Sequence, residues 1–555
     1  MPHAVSSASS GLQALILCGP GSSFPTFTAD PDEHPKALLP IANRPMVWYP
    51  LDFCYRAGIT DITLICPPSA EKAITSALSL NPALTSLPLP RPTLLAPEDL
   101  DLNTGTAEIL RLPEVKSAIT GHFLILPCDL VCELGAEQLL QAWMVNCETL
   151  RDLVGNKYGL ISENEGAHSG GLGVWYQTKT ETPVKGEETD FIATTPLATS
   201  SIAPQDSLTS KMSKLVYSTP ADSLNDLMEE KKGFPIRHGL IRQHPRIQIR
   251  TTHRDAHVYI FPRWILDFIQ ENERLDSIGE DVIGWWAKAT WQGGLAQKLG
   301  FDRIFSPNTR DNEDTDSTRD DTGSPDATDR KAAADAKITE PNTSPSETNR
   351  STSTSDIVPP LLAYVHPSTP AGPRIRRVDT AQLLLTISLQ LAKLPSVEEA
   401  EARGETPSPF AHAKKVMYPD GVKGRTTITR PDSLVGENVM VDEKVSIKET
   451  VVGANCQIKE GAKLFQCVLM DGVVVGKGCK LTRCILGKRS EIGENSTLTD
   501  CEVQENLLVE TKSEEKGAKL MSSSGLEATE EEMQEVYQEF ETDDAAQRGD
   551  DATGI

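Results

Sequence analysis

A chain of 555 residues with a net charge of −25 is too long for one hydrophobic core. It is also too acidic for a nucleic-acid backbone or an anionic membrane to be its main partner. Its 38% hydrophobic content can fill sizeable cores, while the 5% aromatic share predicts long stretches that pack nothing.

Residues 1–11 are expected to be disordered. No basic leader precedes the first apolar segment, so no signal peptide is expected, and no apolar run is long enough to span a bilayer. Eleven cysteines include no CxxC pair, which argues against zinc and for reduced, packed thiols in a cytosolic protein.

From residue 12 onward, strand and helix alternate. LQALILC reads as a buried strand and PMVWYPLDFCYRAG as an amphipathic helix ending at a glycine. DITLICP is a second strand, and HFLILPCDL a third, ending in Asp129. The alternation predicts a parallel sheet with crossover helices, a Rossmann-like α/β domain over residues 12–300. The pattern continues through YGLISEN to RIQIRTTHRDAHVYIFPRWILDFIQ as strand, strand and helix, and Gly166–Gly171 reads as a loop.

The first strand runs into the glycine-rich turn LILCGPGSSF, where backbone N–H groups can approach a phosphate. Gly19 and Gly21 alone are weak signals, since glycine pairs occur in many turns. Their combination with Pro35-Lys36, LLPIANRPM, Gly105-Thr106-Ala107 and the strand-end Asp129 is specific. His253 and His257 flank Asp255 on one predicted strand face, without a visible third ligand, so packed histidines are expected. Trp285, Trp286 and Trp291 predict a helix end pinned to the sheet, or a protein contact.

Residues 301–358 are rich in Ser, Thr, Asp and Pro, with no aromatic from Ser306 to Ala363, and predict a disordered acidic insertion. LLAYVHP and AQLLLTISLQLAKL, a strand or helix, then form a connecting segment, 359–430. Over 431–510 the apolar residues keep a schedule of six, six and five. Val435, Val441 and Ile447 are followed by Val452, Ile458 and Leu464, then by Leu469, Val475 and Leu481. Leu486, Ile492 and Leu498 complete the next round, and Val503 opens another. A 17-residue round matches neither a helix nor a hairpin; it predicts a triangular coil, a left-handed parallel β-helix of hexapeptide type. Residues 511–555 read as an acidic tail. Leu526–Ile555 holds eleven acids and one arginine, and EATEEEMQEVYQEFE within it has helical potential.

The N-terminal motifs resemble those of sugar-phosphate nucleotidyltransferases. The resemblance implies a triphosphate on the loop backbone, a lysine on phosphate and magnesium on the strand-end aspartate. It maps nucleotide binding onto Gly19, Gly21, Lys36, Gly105, Thr106 and Asp129. Cys18 stands for the family's first glycine and Ser23 for its loop arginine, and neither Glu-Lys-Pro nor Trp-x-Asp-x-Gly is found. One lost transition-state donor costs on the order of 10²–10³ in rate, so a vestigial site is expected, with no catalytic residue, metal or cofactor. Lys36 is then a solvated lysine and Asp129 a cap on the following turn. The coils carry no histidine between Val435 and Val503, which excludes a hexapeptide acyltransferase.

RPMVWYPLDFCYRAGITDITLIC, LDLNTGTAEILR, HPRIQIRTTHRDAHVYIF and DSLVGENVMVDEKVSIKETVVGANCQIKEGAKLFQCVLMDGVVV resemble, in order, the gamma-subunit family of eukaryotic translation initiation factor 2B. That resemblance implies a non-catalytic subunit of the exchange factor for the GTPase initiation factor 2. Its implied partners are the catalytic epsilon subunit, held directly, the alpha, beta and delta subunits of a decamer, and the GTPase. The related epsilon family ends in a helical exchange domain, and the roughly fifty residues after the last coil are too few for one. The alternative is an active sugar-phosphate nucleotidyltransferase such as a mannose-1-phosphate guanylyltransferase.

Overall fold

The computed structural model describes residues 11–101, 103–147, 169–179, 184, 186–197, 207–233, 237–305, 358–367 and 372–522. The segment YGLISEN, most of the insertion and the tail from residue 523 lie outside the described residues.

The α/β domain is built on one nine-stranded mixed sheet. Its strands are β1 (Gln13–Leu17), β2 (Asp61–Ile65), β3 (Thr93–Leu95), β4 (Phe123–Pro127), β6 (Gly171–Gln177), β7 (Asp190–Pro196), β8 (Met212–Pro220), β9 (Gln248–Phe261) and β10 (Leu361–Val365). Their spatial order is β3-β2-β1-β4-β9-β6-β10-β8-β7. The first four are parallel, as expected for fully buried runs such as FLILP. Beyond β4, antiparallel pairings dominate, with β6–β10 as the parallel exception. A small antiparallel ribbon pairs β5 (Leu130–Cys132) with β11 (Ile375–Arg377).

Three boundaries differ from the sequence reading. Gly171 opens a strand rather than closing a loop. The helix Phe301–Phe305 still caps the domain, with Phe301 buried beside Trp264 and Phe268. Most consequentially, β10 lies inside the sheet between β6 and β8, so residues 359–430 do more than connect. A strand buried on both faces is placed by its neighbours across the sheet, which no local pattern reveals.

The solenoid runs from the bridges at Val416 and Val422 to the strand Lys519–Leu520, longer at both ends than 431–510. Its first partners are too short to carry a repeat of their own. Three parallel sheets form its sides. The first rung pairs at i+19, Val416 with Val435, Val422 with Val441 and Thr427–Ile428 with Ser446–Ile447. Every later rung pairs at i+17: Leu434–Val435 with Val451–Val452, Met440–Val441 with Gln457–Ile458, Ser446–Lys448 with Lys463–Phe465, and so on. All thirteen residues of the six-six-five schedule are at most 1% exposed.

The corners repeat as strictly as the core. Asn438, Asn455, Gly472, Arg489 and Asn506 all adopt positive φ, as do Lys444, Gly461, Gly478, Asn495 and Lys512, and Glu449, Gln466, Arg483, Asp500 and Gly517. Asparagine tolerates this left-handed region and also ladders between coils, Asn438 Nδ2 donating to Asn455 Oδ1 at 2.7 Å. Between the corners the coils touch closely. A Cβ on Gly453 would lie 2.7 Å from the Met470 carbonyl carbon, so only glycine fits. Ser433, Thr450, Cys467, Cys484 and Cys501 stack 17 residues apart and are buried, which gives three cysteines a packing role. Cys18, Cys54, Cys66, Cys128 and Cys132 are free and buried, as are the five cysteines of the coils.

One side of the solenoid is covered by the chain itself. Leu434, Val451, Val468 and Ile485 point outward from the coil yet share a core with the α/β domain, against the helix Ala381–Ala392 and the loop around Ile41. Asn43 Nδ2 donates to the Val452 carbonyl at 2.8 Å, and Thr26 Oγ1 to Glu502 Oε2 at 2.9 Å. The other two sides expose Met440, Phe465 and Leu508 among polar residues. Among the described residues no helix is long and apolar enough to cross a membrane.

Candidate functional site

Asp129 follows β4 at the carboxyl end of the parallel strands, where α/β sheets place their ligand sites. Immediately after it, β5 pairs with β11, aligning Leu130 with Arg377 across 247 residues of sequence. That pairing carries the Arg377 guanidinium onto Asp129. Nε donates to Oδ1 at 3.3 Å, and the Val378 amide donates to the Asp129 carbonyl at 2.9 Å. From the other side Lys36, in the single helical turn Lys36–Leu38, donates from Nζ to Asp129 Oδ2 at 2.7 Å. Both carboxylate oxygens are therefore occupied, and the side chain is 1% exposed.

The electrostatics follow from this geometry. Burial alone would raise the Asp129 pKa, but the charges of Arg377 and Lys36 overcome it and hold the carboxyl well below the usual range. Burial would likewise lower the pKa of Lys36, and Asp129 reverses that, leaving it raised. Lys36 is thus a buried ion-pair partner rather than a solvated lysine, because Asp129 and the neighbouring Phe24 ring, 5.9 Å from Nζ, enclose it. Asp129 is held by two cations rather than acting as a simple turn cap.

Of the other residues of the expected nucleotide set, Gly21, Gly105 and Thr106 are engaged elsewhere. Gly21 has φ +92 and turns the loop inward; its carbonyl accepts from the Thr28 hydroxyl at 2.8 Å and the Phe24 amide at 2.8 Å. Gly19 and Ser23 are exposed. Gly105 precedes the helix Thr106–Ile109, and a Cβ there would sit 2.1 Å from the Asp276 carbonyl oxygen. Thr106 Oγ1 accepts from the Ile278 amide at 2.9 Å, so this pair pins the helix to the 275–278 loop.

A magnesium ion sits about 2.0–2.1 Å from its carboxylate oxygens. On Asp129 such a dication would press against an ammonium and a guanidinium, so this donor set does not fit a metal. Among the described residues no cluster of three or more His, Cys, Asp or Glu side chains is arranged to hold one.

Beside the ion cluster lies a cleft of about 280 Å³ lined by Asp190, Arg254, Asp255, His257, Arg377 and Asp379, among others. The register of β9 shifts between Asp255 and Tyr259, and His257 takes φ 50. That irregularity separates the two histidines that the sequence places on one face. Burial and the Arg377 charge push His257 well below its ordinary pKa, while burial and Arg250 bring His253 down to about 4. Arg254 binds Asp379 and donates to Glu188 Oε2 at 3.1 Å. Trp286 and Trp291 anchor through their indole N–H groups to the carbonyls of Pro359 and Val216, at 2.9 and 2.7 Å, whereas Trp285 is 39% exposed.

Two carboxylates in the cleft share a site. The Asp255 amide donates to Asp190 Oδ2 at 2.6 Å, and Asp255 accepts from the Tyr259 hydroxyl and from the His257 amide at 2.8 Å. Burial and then the Asp190 charge push Asp255 up to about 7; burial pushes Asp190 up to about 6. An unfolded aspartate titrates near about 3.9. Between that value and neutrality the folded chain therefore holds protons that the unfolded chain does not, and stability falls as pH rises through this window. Asp190→Asn is expected to flatten the decline, by on the order of 1–2 kcal/mol between pH 5 and 7. Calorimetric midpoints across a pH series measure it, and an unchanged slope in the variant would exclude the pair as its cause.

Arg377 is the residue that sequence reasoning missed. Its only local signal is the basic run RIRRVD after the insertion, which says nothing of a contact with Asp129.

Comparisons with known proteins agree with this architecture. Residues 30–160 match the family model described as nucleotidyl transferase, and residues 417–514 the EIF2B subunit epsilon LbH domain. The chain is 29% identical over 304 residues to the translation initiation factor eIF2B subunit gamma of Schizosaccharomyces pombe, covering 54% of this chain and 57% of that protein. The gamma subunit of Dictyostelium discoideum is 25% identical over 247 residues, 43% of this chain and 47% of that protein. The Schizosaccharomyces pombe epsilon subunit is 26% identical over a shorter 131 residues, 23% of this chain and 18% of that protein. The chain is thus a homologue of proteins named eIF2B subunit gamma, and the alignments span little more than half of those relatives at most.

Proposed function

We propose that this chain is a gamma-type subunit of the translation initiation factor 2B complex, a member that performs no nucleotidyl transfer. In this reading it holds the catalytic epsilon subunit directly, within a complex that also contains alpha, beta and delta subunits. It helps to place the GTPase initiation factor 2 while epsilon carries out the exchange. Similarity to gamma subunits supports the membership.

The observation that carries the non-enzymatic part is the closed Lys36–Asp129–Arg377 cluster. Transfer to an α-phosphate needs cations free to meet developing charge and a carboxylate free to hold a metal. Here the two cations engage both oxygens of the carboxylate, and Ser23 stands in the loop where an arginine would serve. The solenoid supplies the complementary argument for assembly. Two of its three sides keep exposed apolar residues, surface that a rigid partner can cover.

Affinity purification of the tagged full-length chain from its own cells tests the reading. The other four subunits and the GTPase are expected to co-purify, and the complex to accelerate GDP release from the GTPase. Purification without epsilon would overturn the assignment. So would pyrophosphate release from a nucleoside triphosphate and a sugar phosphate that is lost in Asp129→Ala, which would establish an active nucleotidyltransferase instead.

A further inference from the structure

At the outer edge of the sheet, β7, β8 and the helix Ile283–Ala289 border an apolar groove of about 580 Å³. Tyr217, Leu240 and Trp291 line it, and Ile241, Ile249 and Trp285 are 50%, 49% and 39% exposed along it. Apolar side chains left open together mark a docking surface. Charge supplies a second, independent observation. Lys231, Arg237, Lys288 and Lys298 also line the groove, and among the described residues no carboxylate does. Lys288 lies 4.9 and 5.0 Å from the rings of Tyr217 and Trp285, and burial together with Arg237 lowers its pKa. In a chain of net charge −25, four cations without an intervening acid suit an occupant that is both apolar and acidic.

We propose that this groove is filled by the chain's own C-terminal segment, residues 526–541, docked as an acidic amphipathic helix. The segment lies outside the described residues, and its sequence carries the pattern the groove requires. Met533, Val536, Tyr537 and Phe540 fall at i, i+3, i+4 and i+7, one stripe of a helix, with Leu526 two turns earlier. Glu530 and Glu541 flank the stripe on one side, Glu532 and Glu539 on the other. The stripe enters the apolar floor while the glutamates meet the lysines, the helix-in-groove mode of recognition. The described chain ends at Ser522, and residues 523–532 extend to roughly 33 Å. This inference does not depend on the proposed function.

Zero-length carbodiimide cross-linking of the full-length chain tests it, using an equal mixture of unlabelled and nitrogen-15-labelled protein read by mass spectrometry. Links from Glu530–Glu541 are expected to reach Lys231, Lys288 or Lys298, within chains of one isotope. Lys231→Glu combined with Lys288→Glu should lower the yield of links to the retained Lys298 about tenfold, equivalent to roughly 1.4 kcal/mol. Adding Glu532→Lys and Glu539→Lys should restore docking, read as protection of Trp285 from fluorescence quenching. Four results would each overturn the proposal: links spread evenly over surface lysines, links between chains of different isotope, failure of the charge swap to restore protection, or groove lysines joined only to a partner subunit when the purified complex is cross-linked.

Discussion

Asp129→Ala is expected to destabilise the α/β domain by about 3–5 kcal/mol, because it strands two buried cations. For a domain of this size that lowers the thermal midpoint by roughly 10 °C. The sign separates two histories of the site. A carboxylate kept for a metal sits in strain with its acidic neighbours, and its removal is commonly neutral or stabilising. Asp129 instead closes a cluster with Lys36 and Arg377, at 2.7 and 3.3 Å. Lys36→Met should therefore cost less in the Asp129→Ala background than alone, as a double-mutant cycle reports. The pH dependence follows the depressed pKa of Asp129: its stabilisation is present above about 4 and is lost as pH falls below the unfolded value. Thermal melts of the two single variants and the double check all three statements, and a neutral Asp129→Ala would refute the closed-cluster account.

Leu469→Ala should cost the solenoid about 2–5 kcal/mol. Leu469 is 0% exposed at the middle of the ladder Val435, Val452, Leu469, Leu486, Val503. Each side of a coil turns inward one large apolar side chain, such as Leu469, beside a smaller buried one, such as Cys467, and its backbone is tied to the coils above and below. No neighbour can move in to fill the cavity, so relaxation recovers little. Because a solenoid's stability is carried by nearest-neighbour contacts, the loss should be felt first in the two adjoining coils. Hydrogen exchange is expected to rise over roughly residues 451–487 ahead of the first and last coils. Phe465→Ala, on the outer surface at 40% exposure, should change stability by less than about 0.5 kcal/mol. Equal effects of the two substitutions in urea denaturation would contradict this picture of the core.

Much of the architecture was legible in the linear order of residues. The solenoid core needs only the sequence, since a repeat of 17 leaves each inward residue stacked on its own equivalents. Two of the three corners carry a signal as well, for asparagines and glycines recur there at the same interval, whereas Glu449, Gln466 and Arg483 occupy the third. Three of the four parallel strands were legible because continuous apolar runs have no other soluble use; the edge strand Thr93–Leu95, three residues long and not buried, gave no such signal. The candidate site was legible only in half. Lys36 and Asp129 stand out beside a recognisable loop, but what they do depends on Arg377, which no periodicity connects to them. The cleft histidines show the same limit from the other direction: a regular strand would align His253 with His257, and the irregularity in β9 parts them.

The division has a physical basis. Patterns that repeat with the period of a coil, strand or helix are settled by neighbours in the chain, so the β-helix and the parallel half of the sheet follow from composition and spacing. Charge pairing and strand insertion are settled by neighbours in space. Whether Asp129 is a metal ligand, a turn cap or a buried ion-pair partner depends on which strand folds beside it. The placement of β10 within the sheet and the pairing of β11 with β5 brought Arg377 to that carboxylate. Folding thereby turned a recognisable nucleotide-site aspartate into one whose oxygens are both taken.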